Sequence, residues 1–589
     1  MPLAVAPSGF RPFLRLAGWR GFGALLFVVA LLLHAPGLGG GFVLDDLWHH
    51  AFMQAKLAGG EAARAWWDIF HLVDYPPERQ LAMRTSGLMP WWLGPDLRVV
   101  FFRPLTSADA YLDALLWPRS PWWMHFHSTA LHALLCVLVW RFYRRLLGDG
   151  PEAIVIAALA ALMFVADSTH AETVGWLAQR NATIAALFGV GAAILHVRWR
   201  TDGLRGGPAA SLLLAIAALL SGEIGCSLLA FILAHGLFLD PAGPRRGLLA
   251  AVPALVVTLL WLLAYAAAGF GAHGSGAYID PLHATGPFLA ALPGRLQQLA
   301  VAGLGWPQRF VAGTSAWIAW ALASATIVAL AVWHACTART RPWLRFAAVA
   351  FVLSLVPIAG AAPREGLLLF ASVAANLWLA AIVVALLRAG SRARALVAAF
   401  LLVSRLLLAP VALVDALRTQ SSLGFGGDVF TAGRGLDDAA LAHQTLVLVS
   451  TPMAFQARTL PLSRRLAGLQ VPHFLHLLVS SDEPSTLTRT GPRTLELVQP
   501  RGFLREPTSA FFRSLAAPLQ PGDVVTTLAF RVEVVAVTAA GHPTRLRFDF
   551  TADLEHRSLC FATWDGRDYA PLALPPLGAS APLPGLAPL

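Results

Sequence analysis

Lysine is nearly missing: Lys56 is the sole lysine in 589 residues, so arginine carries the basic charge. Charge of either sign is scarce, at 13% of residues against 57% hydrophobic. A soluble chain needs more charge to cover its surface, and a single globular core of this length would divide into domains. Cysteine is sparse as well. Cys136, Cys226, Cys336 and Cys560 contain no Cys-x-x-Cys pair, so neither a disulfide framework nor a zinc site is supported. The first apolar run lacks a small-residue cleavage site. Gly39-Gly40-Gly41 and an acidic segment follow it instead, which reads as a retained helix and not a removed signal peptide.

What the chain has is apolar sequence in long runs, with a mean hydropathy of +0.62. The runs lie near 21–37, 124–143, 152–166, 181–197, 209–221, 223–239, 247–269, 314–335, 346–361, 366–387 and 395–416. Repeated apolar stretches of about 20 residues imply helices across a bilayer. The expected fold is an all-α polytopic membrane domain over 1–420, with about eleven transmembrane helices and a long first external loop at 38–123. The short runs 152–166 and 209–221 read as broken, tilted or buried helices.

The net charge of +11 does not point to nucleic acid, because the arginines sit in short clusters between apolar runs. Arg11, Arg15 and Arg20 precede the first run; Arg141, Arg144 and Arg145 end the second. Further clusters follow at Arg198–Arg205, Arg245–Arg246, Arg339–Arg345 and Arg388–Arg394. If each run crosses once, all fall on one side, which the positive-inside rule makes the cytoplasm. Heavy arginine and alanine usage suits a GC-rich bacterial genome, so the expected location is a bacterial inner membrane with the C-terminal region outside. Trp66, Trp67, Trp91, Trp92, Trp117, Trp122 and Trp123 crowd the external loop and are expected at the headgroup level, with part of the loop lying flat on the membrane.

Beyond the last run the pattern changes. Thr445–Thr451, Asp523–Phe530, Val532–Val537 and Thr544–Phe550 read as strands, Ala540-Gly541-His542-Pro543 as a hairpin turn, and 452–468 as a helix. A small β-rich α+β soluble domain is expected over 425–575, then a disordered Pro/Gly-rich tail over 576–589.

Polar residues on the external side are few, which singles them out. Asp45 and Asp46 follow the first helix, where carboxylates can serve as a general base, bind a metal, or cap the next helix. Phe102-Arg103-Pro104-Leu105-Thr106 precedes the second, and Arg103 has the planar fork that suits phosphate. His125, His127 and His132 enter that helix, where a buried, satisfied histidine is the plainer reading. His170, Glu172 and Arg180 stand between two apolar runs, where ionisable groups must pair or work. An ion pair between Glu172 and Arg180 is the structural alternative. Glu223 and the Pro363-Arg364-Glu365 segment complete the set.

In order and spacing, these residues resemble the GT-C class of polytopic glycosyltransferases, and most nearly the membrane region of TPR-containing protein O-mannosyltransferase-like proteins. There an Asp-Asp pair follows the first helix, as Asp45 and Asp46 do. An Arg-Pro-Leu-Thr segment matches Arg103 through Thr106, and a Pro-x-x-x-His…Leu-His pattern matches Pro121, His125, Leu131 and His132. A His-x-Glu…Trp…Arg segment matches His170, Glu172, Trp176 and Arg180. The resemblance covers about residues 20–240, with Arg364 a further match. Ser128, Asp167-Ser168 and Gly222 depart from the pattern, and no TPR repeat follows.

The resemblance implies transfer of a monosaccharide from a polyprenyl-phosphate donor to an extracytoplasmic acceptor, with inversion at the anomeric carbon. It implies Asp45 or Asp46 as base; Arg103, His170, Arg180 and Arg364 as donor-phosphate contacts; and Glu172, His125 and Glu223 in support. A divalent metal is compatible but not required. Two other readings stay open: a catalytically silent envelope scaffold, and a transporter or flippase of a lipid-linked molecule.

Overall fold

The computed structural model describes residues 11–58, 66–305, 341–388, 391–423, 432–514 and 516–585, with isolated positions 322, 326 and 329. The apolar run 314–335 falls almost wholly outside them.

Proline opens many of the helices. Pro104, Pro121, Pro151 and Pro342 sit in the first turns of Pro104–Leu116, Pro121–Leu147, Pro151–Val165 and Pro342–Ile358. First-turn N–H groups have no intrahelical partner, so a missing donor costs little there. The proline of the Arg-Pro-Leu-Thr segment thus starts a helix and leaves Arg103 just outside it, with φ −130° and ψ 59°.

Five segments are long and apolar enough to cross a membrane: Phe22–Gly39, Leu177–Asp202, Pro244–Ala267, Glu365–Arg388 and Arg392–Ser421. Pro151–Val165 and Ser168–Gly175 make a sixth if taken together, bent by 45°. About eleven crossings are therefore not supported among the described residues. Gly207–Ser221 and Pro342–Ile358 have 15 and 17 residues. At about 1.5 Å per residue they fall short of a hydrocarbon core about 30 Å thick. Pro121–Leu147 is long enough at 27 residues, but three arginines and three histidines dilute its hydropathy.

Within the bundle, Glu365–Arg388 is central, with 94% of its apolar window buried, and Pro244–Ala267 is peripheral at 17%. The peripheral helix turns Leu249, Leu260 and Leu263 outward, a face suited to lipid. At one end of the bundle the arginine clusters are tied by acids. Arg145 pairs with Asp202, Arg200 with Asp240 at 2.6 Å, and both Arg341 and Arg388 with Glu152.

The other end carries a second body with its own core. Strands β1 (His71–Val73), β2 (Arg98–Val100) and β3 (Gly271–His273) form a small antiparallel sheet from two separate loops. In the C-terminal region, β4 (Thr445–Thr451), the helix Ala454–Leu466 and β5 (Phe474–Ser480) make a parallel βαβ unit. Strands β6 (Ser485–Arg489), β7 (Thr494–Val498), β8 (Val524–Thr526), β9 (Phe530–Val537) and β10 (Pro543–Phe550) follow. The remaining strands are β11 (Leu559–Trp564), β12 (Tyr569–Pro571) and β13 (Ser580–Leu583). They assemble as a six-stranded sheet in the order β13-β6-β7-β10-β9-β8 and a four-stranded sheet in the order β12-β11-β4-β5. The β9–β10 hairpin turns at Gly541, whose φ of 82° suits glycine. Ser580–Leu583 pairs with β6, so the tail expected to be disordered supplies a strand over those residues.

Two of the tryptophans are not at a headgroup level. Trp91 and Trp92 are buried in the core shared with the C-terminal sheets, and Trp91 Nε1 donates to the Leu478 carbonyl at 2.8 Å. An indole suits either setting when its N–H finds a partner. Trp66, Trp122 and Trp123 do remain exposed, beside Leu115 and Leu116. Backbone bonds from Gly94 to Phe512, Gly276 to Ala510 and Leu528 to Thr85 make the two long loops and the C-terminal region one continuous body.

Candidate active site

The segment before the paired aspartates is a tight turn. Gly41 has φ 59° and Leu44 has φ 48°, a left-handed conformation uncommon for a residue with a side chain. Such strain persists only when the surroundings fix it. His125 Nε2 donates to the Gly41 carbonyl at 2.7 Å, and Asp46 Oδ2 accepts from Val43 N at 3.1 Å.

Asp46 then reaches across the molecule. Its carboxylate accepts from Ala178 N at 2.7 Å and Leu177 N at 3.3 Å. Burial and the neighbouring Asp45 push its pKa up, against the three N–H donors that favour the charge. Asp45 Oδ1 accepts from Trp176 Nε1 at 2.8 Å. Both aspartates thus dock on Trp176–Ala178, just past the helix Pro151–Val165.

Two arginines flank this contact. Arg103 donates through Nε to Glu223 Oε2 at 2.8 Å, and its guanidinium lies over the rings of Phe101 and Phe70 at 4.4 and 4.9 Å. Burial opposes its charge, but Glu223 more than restores it. Tyr265 donates to the other Glu223 oxygen at 3.1 Å. Arg364 pairs with Glu172, and its guanidinium lies 5.4 Å from the Trp176 ring. Glu172 also accepts from Gly366 N at 3.2 Å, where a Cβ would come within 2.4 Å of Glu172 Oε2 and push that carboxylate from its place. Tyr278 joins the two arginine segments: its ring meets Phe101 at 5.6 Å and its backbone bridges to Ala361, three residues before Arg364.

Arg180 lines a recess shared with Asp46 but has other partners than the group above, and His170 stands apart. Arg180 is buried, paired with Asp113, with Asp109 at 2.8 Å and with the Met124 carbonyl at 2.8 Å. Its partner is not Glu172. His170 is fully buried in the helix bundle, 2.8 Å from Ser372 Oγ and 5.1 Å from the His132 ring. Ser372, not Glu172, orients it. Glu172 and Glu223 each hold an arginine, and His125 braces the turn.

Asp109 and Asp113 went unread in the sequence, although their spacing puts both on one face of the helix that Pro104 begins. With His127 they offer ligand atoms within 4.8 Å of one another, a geometry able to take a metal, and Arg180 already supplies positive charge there. A narrow recess runs between them and Asp46, walled by Phe42, His50, Met53 and Phe70. Tyr265 and Tyr278 were missed too: one sits inside the apolar run of the helix Pro244–Ala267 and the other is a lone tyrosine in a long loop, and neither position carries a spacing signal.

No family model matches the chain, and no curated protein matches it. The geometry therefore stands alone: a chain with helices apolar enough to cross a membrane, and an acidic and cationic cluster where its helix bundle meets its second, sheet-containing body.

Proposed function

We propose that the protein is an inverting membrane glycosyltransferase of GT-C-like architecture that uses a polyprenyl-phosphate monosaccharide. One observation carries the reading: Asp45 and Arg364, far apart in sequence, meet on one indole, Asp45 accepting from Trp176 Nε1 at 2.8 Å and the Arg364 guanidinium lying 5.4 Å from that ring. Arg103 and Arg364 are the phosphate contacts, and Arg180 and His170 are structural. Asp45 is the base. Asp46 is committed to three backbone N–H groups and anchors the turn. The acceptor hydroxyl gives its proton to Asp45, its oxygen bonds to the anomeric carbon, and the carbon–oxygen bond to the lipid phosphate breaks with the electron pair on phosphate. The two guanidinium groups offset that developing charge. The arginine-rich end of the bundle is cytoplasmic, and the donor is taken from the outer leaflet.

The test uses purified protein in liposomes with a panel of polyprenyl-phosphate sugars and an envelope extract as acceptor. A positioned base contributes about 10²–10⁴-fold, so Asp45→Asn should lose that much transfer while still inserting and melting normally. Full transfer by this variant would overturn the reading.

A second reading, movement of a lipid-linked molecule, draws on a different observation. His34, His132, His170, Asp167 and Arg405 are all buried among the helices, and buried ionisable groups there mark transport paths. It predicts that lipid-linked sugar changes leaflet without losing its sugar, in an assay of the same liposomes.

A further inference from the structure

We infer that Tyr278 donates a hydrogen bond to the phosphate oxygen that leaves the sugar, which makes it a further catalytic residue. The inference rests on the transferase reading above. Its basis is how the loop holds this one phenol. Tyr278 forms an antiparallel bridge with Ala361. Ala362 N donates to the Ala277 carbonyl at 2.8 Å, and Ile279 N to the Gly360 carbonyl at 2.7 Å. These bonds fasten the loop to the chain just before Arg364. On its other side the Tyr278 ring meets Phe101 edge-on, with centroids 5.6 Å apart, and Phe101 is the ring that carries the Arg103 guanidinium. The phenol is therefore clamped between the two segments that supply the proposed phosphate contacts.

Three other tyrosines have partners for their hydroxyls, while Tyr111 packs its ring on Trp66, away from the two arginine segments. Tyr143 donates to the Val373 carbonyl, Tyr265 to Glu223, and Tyr569 bonds Thr451. Tyr278 is half-buried, and its hydroxyl makes no hydrogen bond to any described residue. A donor clamped between the segments of Arg103 and Arg364 and left without a protein acceptor fits an anionic oxygen. Burial raises this phenol above its ordinary value, with Arg364 and Arg103 opposing, so it keeps its proton and can donate. No proton moves from it in the step. Asp45 holds the acceptor's proton, and the lipid phosphate departs as the dianion, hydrogen-bonded to the phenol.

Tyr278→Phe keeps the ring on Phe101 and removes only the donor. A hydrogen bond to a charged group is worth about 10- to 100-fold, so kcat should fall by that factor. The acceptor KM and the melting temperature should stay at wild-type values. Inhibition by added polyprenyl phosphate, the leaving group itself, should weaken by a similar factor. Wild-type kcat with unchanged inhibition would overturn the assignment, as would a raised KM at unchanged kcat. The two levels separate through Asp45→Asn. If that variant is dead and Tyr278→Phe is normal, only the tyrosine role fails. If Asp45→Asn transfers fully, the transferase reading fails with it.

Discussion

At the scale of single residues, adjacent aspartates do different work because the backbone aims them differently. Asp46 is 3% exposed and faces three N–H donors, whereas Asp45 faces the Trp176 indole, against whose ring Arg364 lies. Asp46→Asn would set an amide N–H₂ where only acceptors fit. It should destabilise the protein by about 1–3 kcal/mol, the cost of leaving buried donors unmatched, read as a lower melting temperature. An unchanged melting temperature would show that the turn does not depend on this carboxylate. Farther away, His476 on β5 is buried against Phe530, and burial lowers its pKa to about 4. The folded state therefore binds this proton less readily than the unfolded chain, where the value is near 6.5. The stability it permits is complete above about pH 6.5 and is lost as pH falls toward 4. Between pH 7.5 and 5 the loss is about 2 kcal/mol for this one group. Melting in detergent should drop over that interval, and His476→Leu should shrink the drop. A variant as acid-sensitive as wild type would remove His476 from the account.

At the scale of elements, the two long loops and the C-terminal region fold as one body. Leu462, on the helix Ala454–Leu466, packs against Phe42, Leu47 and Met124, the apolar residues around the aspartate turn. Trp91→Ala should cost about 3–5 kcal/mol, because it leaves a cavity beneath β5 and frees the Leu478 carbonyl. Truncation after residue 423 should leave protein that aggregates or is rapidly proteolysed, since Trp91 and Trp92 lose their cover. A stable, monodisperse truncated protein would refute the shared core. These contacts also explain what could be read in advance. Strands such as Thr445–Thr451 were legible because buried parallel strands are continuous apolar runs, and the helix at 454–466 because its pattern changes period. The seating of Trp91 was not legible, since an indole suits a headgroup or a core alike. The β13 strand was hidden by its prolines, which an edge position tolerates. In the site, the aspartates, Arg103 and Arg364 were readable as rare charges between apolar runs. The partners of Arg180 and Glu172 were exchanged, because pairing across loops depends on how helices pack and not on sequence distance.

At the scale of the whole molecule, charge asymmetry and site position make one claim about orientation. The arginines at the ends of Pro121–Leu147 and Leu177–Asp202 and at the start of Pro342–Ile358 gather at one end of the bundle, and the aspartate turn and both large sheets lie at the other. Positive charge is retained on the cytoplasmic side, so the sheets should face outward. The claim can be checked without any activity. In a background with the native cysteines replaced, Leu577→Cys, at a position 63% exposed, marks the sheet end. Arg205→Cys, also exposed, marks the arginine end. A membrane-impermeant maleimide on intact spheroplasts should label Leu577→Cys at once and Arg205→Cys only after permeabilisation. The reverse pattern would turn the aspartate turn toward the cytoplasm. A donor held in the outer leaflet could not then reach Arg103 and Arg364, and the proposed chemistry would have to draw on an inner-leaflet lipid instead.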